Sequence, residues 1–325
     1  MLTLHSHNGA VREPPADLGR AGLADEIVWI DLLKPTQAEI DFVERNTGWS
    51  VPSIEELSEI ETSSRLRSKE GTLLLSAPLI HRVDARDPRS TPVGFVLGQQ
   101  RLVTVRFEPL TAFDTFTKTA SGNAAETFAG LLEAIIDRVA DVLEHIAADL
   151  DALSHRLFRS GPIDGNQRRR AGREAADLRA ILRRVGANGD LVSKLRDSLL
   201  GLGRIVPYVA GLAGDWLPHE VDARLTTMRH DLSSLADYNA HLVNKVQLLL
   251  DATLGLINIE QNDIIKVLTV VSVVGVPPTL IAGIYGMNFK IIPELTWSFG
   301  YAYGLGVIAL SAIIPLVWLR LRGWF

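Results

Sequence analysis

Cysteine is absent from all 325 residues, which excludes disulfides, thiolate metal sites and cysteine nucleophiles together. A chain without thiols fits a domain facing a reducing cytosol. No Lys/Arg block with interleaved aromatics occurs, and the formal net charge is −5. Counterion-release binding needs a clustered basic surface, so no nucleic-acid partner is expected. The densest basic run, Arg168-Arg169-Arg170 with Arg173, is followed by Glu174 and Asp177 and reads as a solvated helix face. Enzyme signatures are missing as well: no phosphate-binding Gly-rich loop, no Gly-x-Ser-x-Gly, no His-Glu-x-x-His. Met1–His7 lacks the charged start and apolar core of a signal peptide. Membrane insertion is therefore expected to use internal signals near the C-terminus. Charge itself runs out along the chain, dense through the first 263 residues and nearly absent in most of the last 60. A soluble domain followed by a membrane anchor is the simplest organisation.

What is present begins with a small α/β unit between Ile27 and about Arg106. Ile27-Val28-Trp29-Ile30 is a short apolar strand ending at Asp31, and Leu73–Ile80, Pro92–Leu97 and Leu102–Phe107 have the same character. Gly98-Gln99-Gln100-Arg101 makes a hairpin turn between the last two. Thr36 can cap a helix over Ala38–Asn46, with Glu39 as its capping-box partner. Ser50 with Pro52 starts another short helix through Glu59.

From about Ala124 the pattern is helical. Leu131, Ile135, Val139, Val142, Ile146, Leu150 and Leu153 recur at three- and four-residue steps. Gly161-Pro162-Ile163-Asp164-Gly165 breaks this helix, a second runs from about Asn166 through Leu182, and Gly186-Ala187-Asn188-Gly189 marks a further turn. From about His219 a heptad-like seam of Leu225, Met228, Leu232, Leu235, Leu242, Val246, Leu249 and Leu256 continues, with Asn239 and Thr253 as polar interruptions. A helix from there to Tyr285 is about 100 Å long at 1.5 Å per residue and needs partners, so an oligomeric bundle is expected.

Ile264–Tyr285 and Gly300–Leu319 each have about the 20 residues needed to span hydrocarbon. The segment between them has 14 residues. Two spans put both termini on one side. Arg320 and Arg322 follow the second span, whereas Lys290 and Glu294 offset each other in the loop, so the N-terminal domain and the tail are expected in the cytoplasm. The expected organisation is a cytoplasmic α/β and helical domain over 1–217, a stalk helix over 218–263, a first transmembrane helix over 264–285, an external loop over 286–299, a second transmembrane helix over 300–319 and a basic tail over 320–325. Trp297, Tyr301, Tyr303 and Trp324 suit interfacial belts.

The first span carries a stripe that the second lacks. Stepping by 3.5 residues gives Asp251, Gly255, Asn258, Asn262, Ile265, Thr269, Ser272, Val276, Thr279 and Gly283, nearly all polar or small. Polar side chains against lipid are costly, so the stripe should face protein or water. Small residues alone could serve close helix packing. Close packing does not need Asp251, Asn258, Asn262 and Thr269 in line, and a pore lining does. Ile265 and Val276 would then be apolar rings able to gate by dewetting. The alternative of a membrane-tethered sensor, with spans that only anchor it, leaves the stripe unexplained.

At the end of this span stands Gly283-Ile284-Tyr285-Gly286-Met287-Asn288-Phe289. The chain here resembles the CorA family of divalent-cation transporters, whose hallmark is Tyr-Gly-Met-Asn in this place. Pro293-Glu294-Leu295, Trp297 with Gly300-Tyr301, and the ending Arg320-Leu321-Arg322-Gly323-Trp324-Phe325 extend the likeness over about residues 250–325. The resemblance implies an α+β membrane protein: an N-terminal cytoplasmic α/β domain, a long stalk helix continuing into the first of two C-terminal transmembrane helices, and a funnel-shaped homopentamer. It implies a mouth at which Asn288 presents a ring of five amide oxygens to hydrated Mg²⁺, with Gly286 allowing a tight turn and Tyr285 and Met287 holding the loop. Neutral carbonyl oxygens suit Mg²⁺, which gives up water reluctantly. Asp251, Asn262 and Thr279 match pore-lining positions of the family, and Ile265 and Val276 its apolar constriction, where relatives often carry Met. No cofactor is implied; Mg²⁺ is cargo, with Co²⁺ or Ni²⁺ as surrogates. Some members close when intracellular Mg²⁺ bridges carboxylates; here the stalk position near Thr227 has none, and Asp84, Asp87, Asp222 and Asp231 are the candidates, which ordinary surface acids explain better.

Zinc-transporting relatives share this architecture, so Zn²⁺, possible with proton coupling, is the alternative cargo. His5-x-His7 lies at what reads as a frayed terminus. His145 and His155, and His230 and His241, are too far apart for one zinc, and no histidine falls in the spans. The relatives that carry zinc usually alter the methionine of the motif, which Met287 retains.

Overall fold

A computed structural model describes residues 1–15, 17–59, 61, 65–69, 71–82, 88–117, 122–159, 171–214, 216–288 and 293–324. Its elements in chain order are β1 (Leu2–Ser6), β2 (Val11–Arg12), β3 (Ile27–Leu33), α1 (Gln37–Thr47), α2 (Ile54–Ser58), β4 (Leu66–Lys69), β5 (Thr72–His81), β6 (Arg89–Leu97) and β7 (Leu102–Arg106). There follow α3 (Thr111–Phe116), α4 (Ala124–Arg159), α5 (Ala171–Leu212), α6 (His219–Tyr285), a 3₁₀ turn (Pro293–Thr296) and α7 (Gly300–Leu321). The residues divide into two compact units, one of 1–162 with 183–250 and one of 163–182 with 251–325.

In the first unit the described strands form a seven-stranded sheet of order β2-β1-β3-β7-β6-β5-β4. All its pairings are antiparallel except β3 with β7. The central strands are buried on both faces, which is why they read as near-continuous apolar runs. Ile30, Leu32, Val96, Val103 and Val105 join Phe42 and Val43 of α1 and Leu57 of α2 in one core cluster. Phe95 meets Phe128 of α4 edge-on at 5.8 Å between centroids, and Trp29 packs on Phe113 and Phe116 of α3. The hairpin between β6 and β7 closes where expected, the Gly98 amide donating to the Arg101 carbonyl at 3.0 Å.

Local signals formed as read at α1. The Glu39 amide donates to Thr36 Oγ1 and the Thr36 amide to Glu39 Oε2, the reciprocal pair of a capping box. The next helix starts later than expected. Its cap is Ser53, with Glu56 as the box partner, because Ser53-x-x-Glu56 satisfies two amides that Ser50 cannot reach.

The N-terminus is not frayed. β1 pairs with β3 along its length, and His5 is buried with its ring stacked 4.1 Å from Trp29. Burial lowers the His5 pKa, partly opposed by Asp31. Behind that stack lies a buried polar chain. Trp29 Nε1 donates to Thr104 Oγ1 at 3.0 Å, Thr104 Oγ1 donates to Asp31 Oδ1 at 2.7 Å, and Arg106 Nη2 donates to Asp31 Oδ2 at 2.8 Å. Asp31 and Arg106 occupy the parallel β3–β7 ladder, and the Arg106 guanidinium also lies over the Phe113 ring.

The expected turn at 186–189 does not exist: α5 is helical through it, from Ala171 to Leu212. Gly186 has open space around it, whereas Gly189, like Gly201 further along, serves packing. A Cβ on Gly189 would come 3.1 Å from Val246 Cγ1 of α6, and one on Gly201 would come 2.9 Å from Ala77 Cβ of β5. Close approach offsets the roughly 1 kcal/mol of helix propensity that a glycine costs. The second helix is described from Ala171 and runs 30 residues past Leu182, and its expected start near Asn166 lies outside the described residues. The Gly161–Gly165 break and the Arg168–Arg170 run lie outside the described residues.

Ion pairs join α4 to its helical neighbours. Arg224 of α6 grips Glu133 with two donors, at 2.8 and 2.6 Å, and Lys245 reaches Asp151 at 2.6 Å. Arg184 and Asn188 of α5 both donate to Asp149, whose pKa burial would raise but these donors hold down. The α6 seam is buried at Leu225, Met228, Leu232, Leu242, Val246 and Leu249, and its polar members Asn239 and Thr253 are buried with it.

Candidate ion pathway

In the second unit, α6 continues without interruption to Tyr285. Its apolar end and α7 are each long and apolar enough to cross a membrane, and almost none of either apolar window is buried within the chain. Val267, Leu268, Val271 and Leu280, each more than 60% exposed, have no protein cover. Apolar surface on this scale requires lipid or other helices against it.

On the stripe, the threonines use their protons on their own helix. Thr269 Oγ1 donates to the Ile265 carbonyl at 2.8 Å, and Thr279 Oγ1 donates to the Val276 carbonyl at 2.8 Å and the Gly275 carbonyl at 3.1 Å. A hydroxyl so committed keeps only acceptor capacity. Water in the shell of a cation points its protons outward, so acceptors are the groups that can meet it. Asn258, Asn262, Ser272 and Asp251 are exposed on the same helix, as are Ile265 and Val276. Asp251 takes part in an interaction and is not a free carboxylate.

One feature of this helix was not anticipated. Pro277 and Pro278 lie inside α6, and neither can donate to the carbonyl four residues earlier. The carbonyls of Val273 and Val274 thereby lose their helical donors, just before Thr279. The double proline in the sequence carried the signal.

After Tyr285 the helix closes with the Gly286 amide on the Ala282 carbonyl (2.9 Å) and the Met287 amide on the Ile284 carbonyl (3.2 Å). Gly286 is not in a left-handed conformation. A Cβ there would sit 3.2 Å from the Ala282 oxygen, so glycine serves close approach rather than an unusual turn. Tyr285 is half-buried, whereas Gly286, Met287 and Asn288 are exposed. Phe289 through Ile292 lie outside the described residues. Beyond them Trp297 packs on Phe299 and Tyr303, with centroids 5.5 and 5.4 Å apart. Gly300 is obligatory in this turn, since a Cβ would fall 2.1 Å from the Glu294 carbonyl.

The acids considered for metal feedback are not brought together. Asp84 and Asp87 lie outside the described residues. Asp222 and Asp231 are exposed and separate on α6, and among the described residues no three carboxylate or imidazole side chains form a metal cluster. Asp137 of α4 has a raised pKa, from burial first and then from Glu133, Asp141 and Asp231.

An α/β domain, a helix that leaves it as a membrane-length apolar segment, and a second apolar helix define a two-span membrane protein. Residues 24–321 match the family model described as CorA-like Mg2+ transporter protein, and the chain belongs to that family. It is 34% identical over 315 residues to the magnesium transport protein CorA of Sodalis glossinidius, covering 95% of each chain. To the magnesium transport protein CorA of Yersinia pseudotuberculosis it is 33% identical over 304 residues, covering 91% of this chain and 92% of the relative. The fold matches the complete CorA magnesium transporter structure from Methanocaldococcus jannaschii with a TM-score of 0.74 at 18% identity, over 100% of this chain and 99% of the other.

Proposed function

We propose that the protein carries Mg²⁺ across a membrane through a pore lined by the first span of each subunit in a homopentamer. The observation that carries this reading is the acceptor stripe of α6, where Asn262, Thr269 and Thr279 recur at a 3.5-residue step on an apolar helix otherwise without protein cover. Asn288 at the outer end concentrates hydrated ions. These then pass Thr279, Val276, Ser272, Thr269, Ile265, Asn262, Asn258 and Asp251. Acceptors without net charge bind a hydrated dication weakly enough to release it, and conduction needs both entry and exit. The N-terminal domain and the basic tail lie in the cytoplasm, by the positive-inside bias of Arg320 and Arg322. Co²⁺ and Ni²⁺, of similar charge, are surrogate cargo. A Zn²⁺ reading has less support, because zinc prefers imidazole or thiolate ligands and residues 264–319 contain neither.

Asp251 supplies the one carboxylate on the stripe, at the cytoplasmic end. Asp251→Ala is expected to raise the Mg²⁺ concentration for half-maximal flux about three- to tenfold, the upper range of what an exposed charge contributes. Measuring flux against Mg²⁺ concentration in proteoliposomes tests this, and an unchanged curve removes Asp251 from the pathway.

A further inference from the structure

β1 is held in the sheet by side chains on both of its faces. Leu2 and Leu4 join the core cluster on one side. On the other, His5 is the large side chain that β1 supplies, stacked on Trp29, which in turn packs on Phe113 and Phe116. His5 is 3% exposed, and its Nδ1 has no hydrogen-bond partner among the described residues. The charged groups that reach it are Asp31 of β3 and Arg106 of β7. Asp31 has one oxygen engaged by Thr104 and the other by Arg106. Of the other neighbouring elements, α3 brings rings while its Asp114 is exposed, and Arg12 of β2 is exposed and paired with Glu26. Along its outer edge β1 is paired through just Leu4 and His5, to the two residues of β2.

We infer that β1 is an acid-released clasp of the first unit: His5 docks as the neutral imidazole, and its protonation frees β1 from β3. An imidazolium carries a proton on both nitrogens, so Nδ1 would become a buried donor with nothing to accept from it. The Trp29 face and Asp31 attract that charge. Asp31 is already engaged, however, and the Arg106 guanidinium, whose own Nη1 lacks a partner among the described residues, repels it. Burial is the largest influence on His5 and lowers its pKa from the ordinary 6.5. A released strand takes up the proton at that ordinary value. Docking is therefore fully favoured above pH 6.5 and weakens as pH falls from there through the lowered value. β1 gives way before the strands beyond β3, because β6 and β7 are paired along both edges. The inference is independent of the metal pathway.

The test is hydrogen exchange of the full chain in nanodiscs at pH 7.5 and pH 5.5, read by mass spectrometry as protection relative to intrinsic exchange rates. Protection of the Leu2–Ser6 amides is expected to fall about tenfold at the lower pH, the effect of one proton taken up a unit below an ordinary pKa of about 6.5. Protection across β5 and β6 should stay the same. His5→Phe keeps an aromatic ring on Trp29 without the charge, and its β1 should be equally protected at both pH values. His5→Gln is uncharged and polar, and should be equally insensitive to pH even where its starting protection is lower. Three results would each overturn the inference: β1 protection indifferent to pH in the parent, a fall of the same size in both His5 variants, or an equal fall across β5 and β6.

Discussion

Asn288→Ala is expected to reduce Mg²⁺ uptake by at least two orders of magnitude while leaving folding and assembly intact. Asn288 is exposed just past the end of α6, and among the described residues its side chain makes no hydrogen bond that the fold would lose. In a pentamer, however, one substitution removes five amide oxygens from the mouth at once. If each is worth about 1 kcal/mol to a hydrated ion, the ring contributes about 5 kcal/mol, and every 1.4 kcal/mol is tenfold in occupancy. Uptake into proteoliposomes, alongside size-exclusion of the purified variant, separates transport from assembly. Uptake within a factor of two of the parent would remove Asn288 from the mouth.

The second large effect concerns stability. Asp31 and Arg106 form an ion pair in the sheet with side chains 6% and 8% exposed. Asp31→Ala leaves the guanidinium buried and unpaired, which typically costs about 3–5 kcal/mol. At about 2–4 °C per kcal/mol for a unit of this size, the apparent midpoint of thermal unfolding should fall by about 10 °C. The Asp31→Leu/Arg106→Met double variant should recover most of that loss, since a pair of apolar residues removes both desolvation penalties. A single-variant shift of only a degree or two would mean that solvent or another group satisfies Arg106.

This pair also marks a limit on what could be read from the chain. Asp31 and Arg106 are 75 residues apart, and only the parallel β3–β7 pairing brings them together. β1 escaped notice for a related reason: Leu-Thr-Leu-His-Ser has little strand character alone and is ordered by its partner strand. The Thr36–Glu39 capping box was legible because all its atoms lie within one turn. Glycine was ambiguous. Gly98 stands in the 98–101 turn without a positive φ, and a Cβ there would fall 2.5 Å from the Trp49 ring, whereas Gly189 and Gly201 lie inside a helix where Val246 and Ala77 approach. No local pattern distinguishes a contact glycine at a turn from one inside a helix.

The candidate pathway rests on the longest pattern in the sequence. A stripe repeating over ten positions, from Asp251 to Gly283, outlasts any local irregularity, and its segment is long enough to be read against the thickness of a bilayer. The structure adds what periodicity cannot, the commitment of the Thr269 and Thr279 protons to the helix and the two carbonyls released by Pro277 and Pro278. What surrounds the exposed span depends on neighbouring molecules, which a single sequence describes only through the surface it leaves uncovered.

Uptake of metal into proteoliposomes of the purified protein tests the central claim most directly, comparing Mg²⁺, Co²⁺ and Zn²⁺ under an inside-negative potential with and without a pH gradient. The account predicts saturable Mg²⁺ influx, with Co²⁺ as a competing cargo, that follows the potential and ignores the pH gradient. No Mg²⁺ influx, or Zn²⁺ influx that rises with the imposed proton gradient, would contradict it.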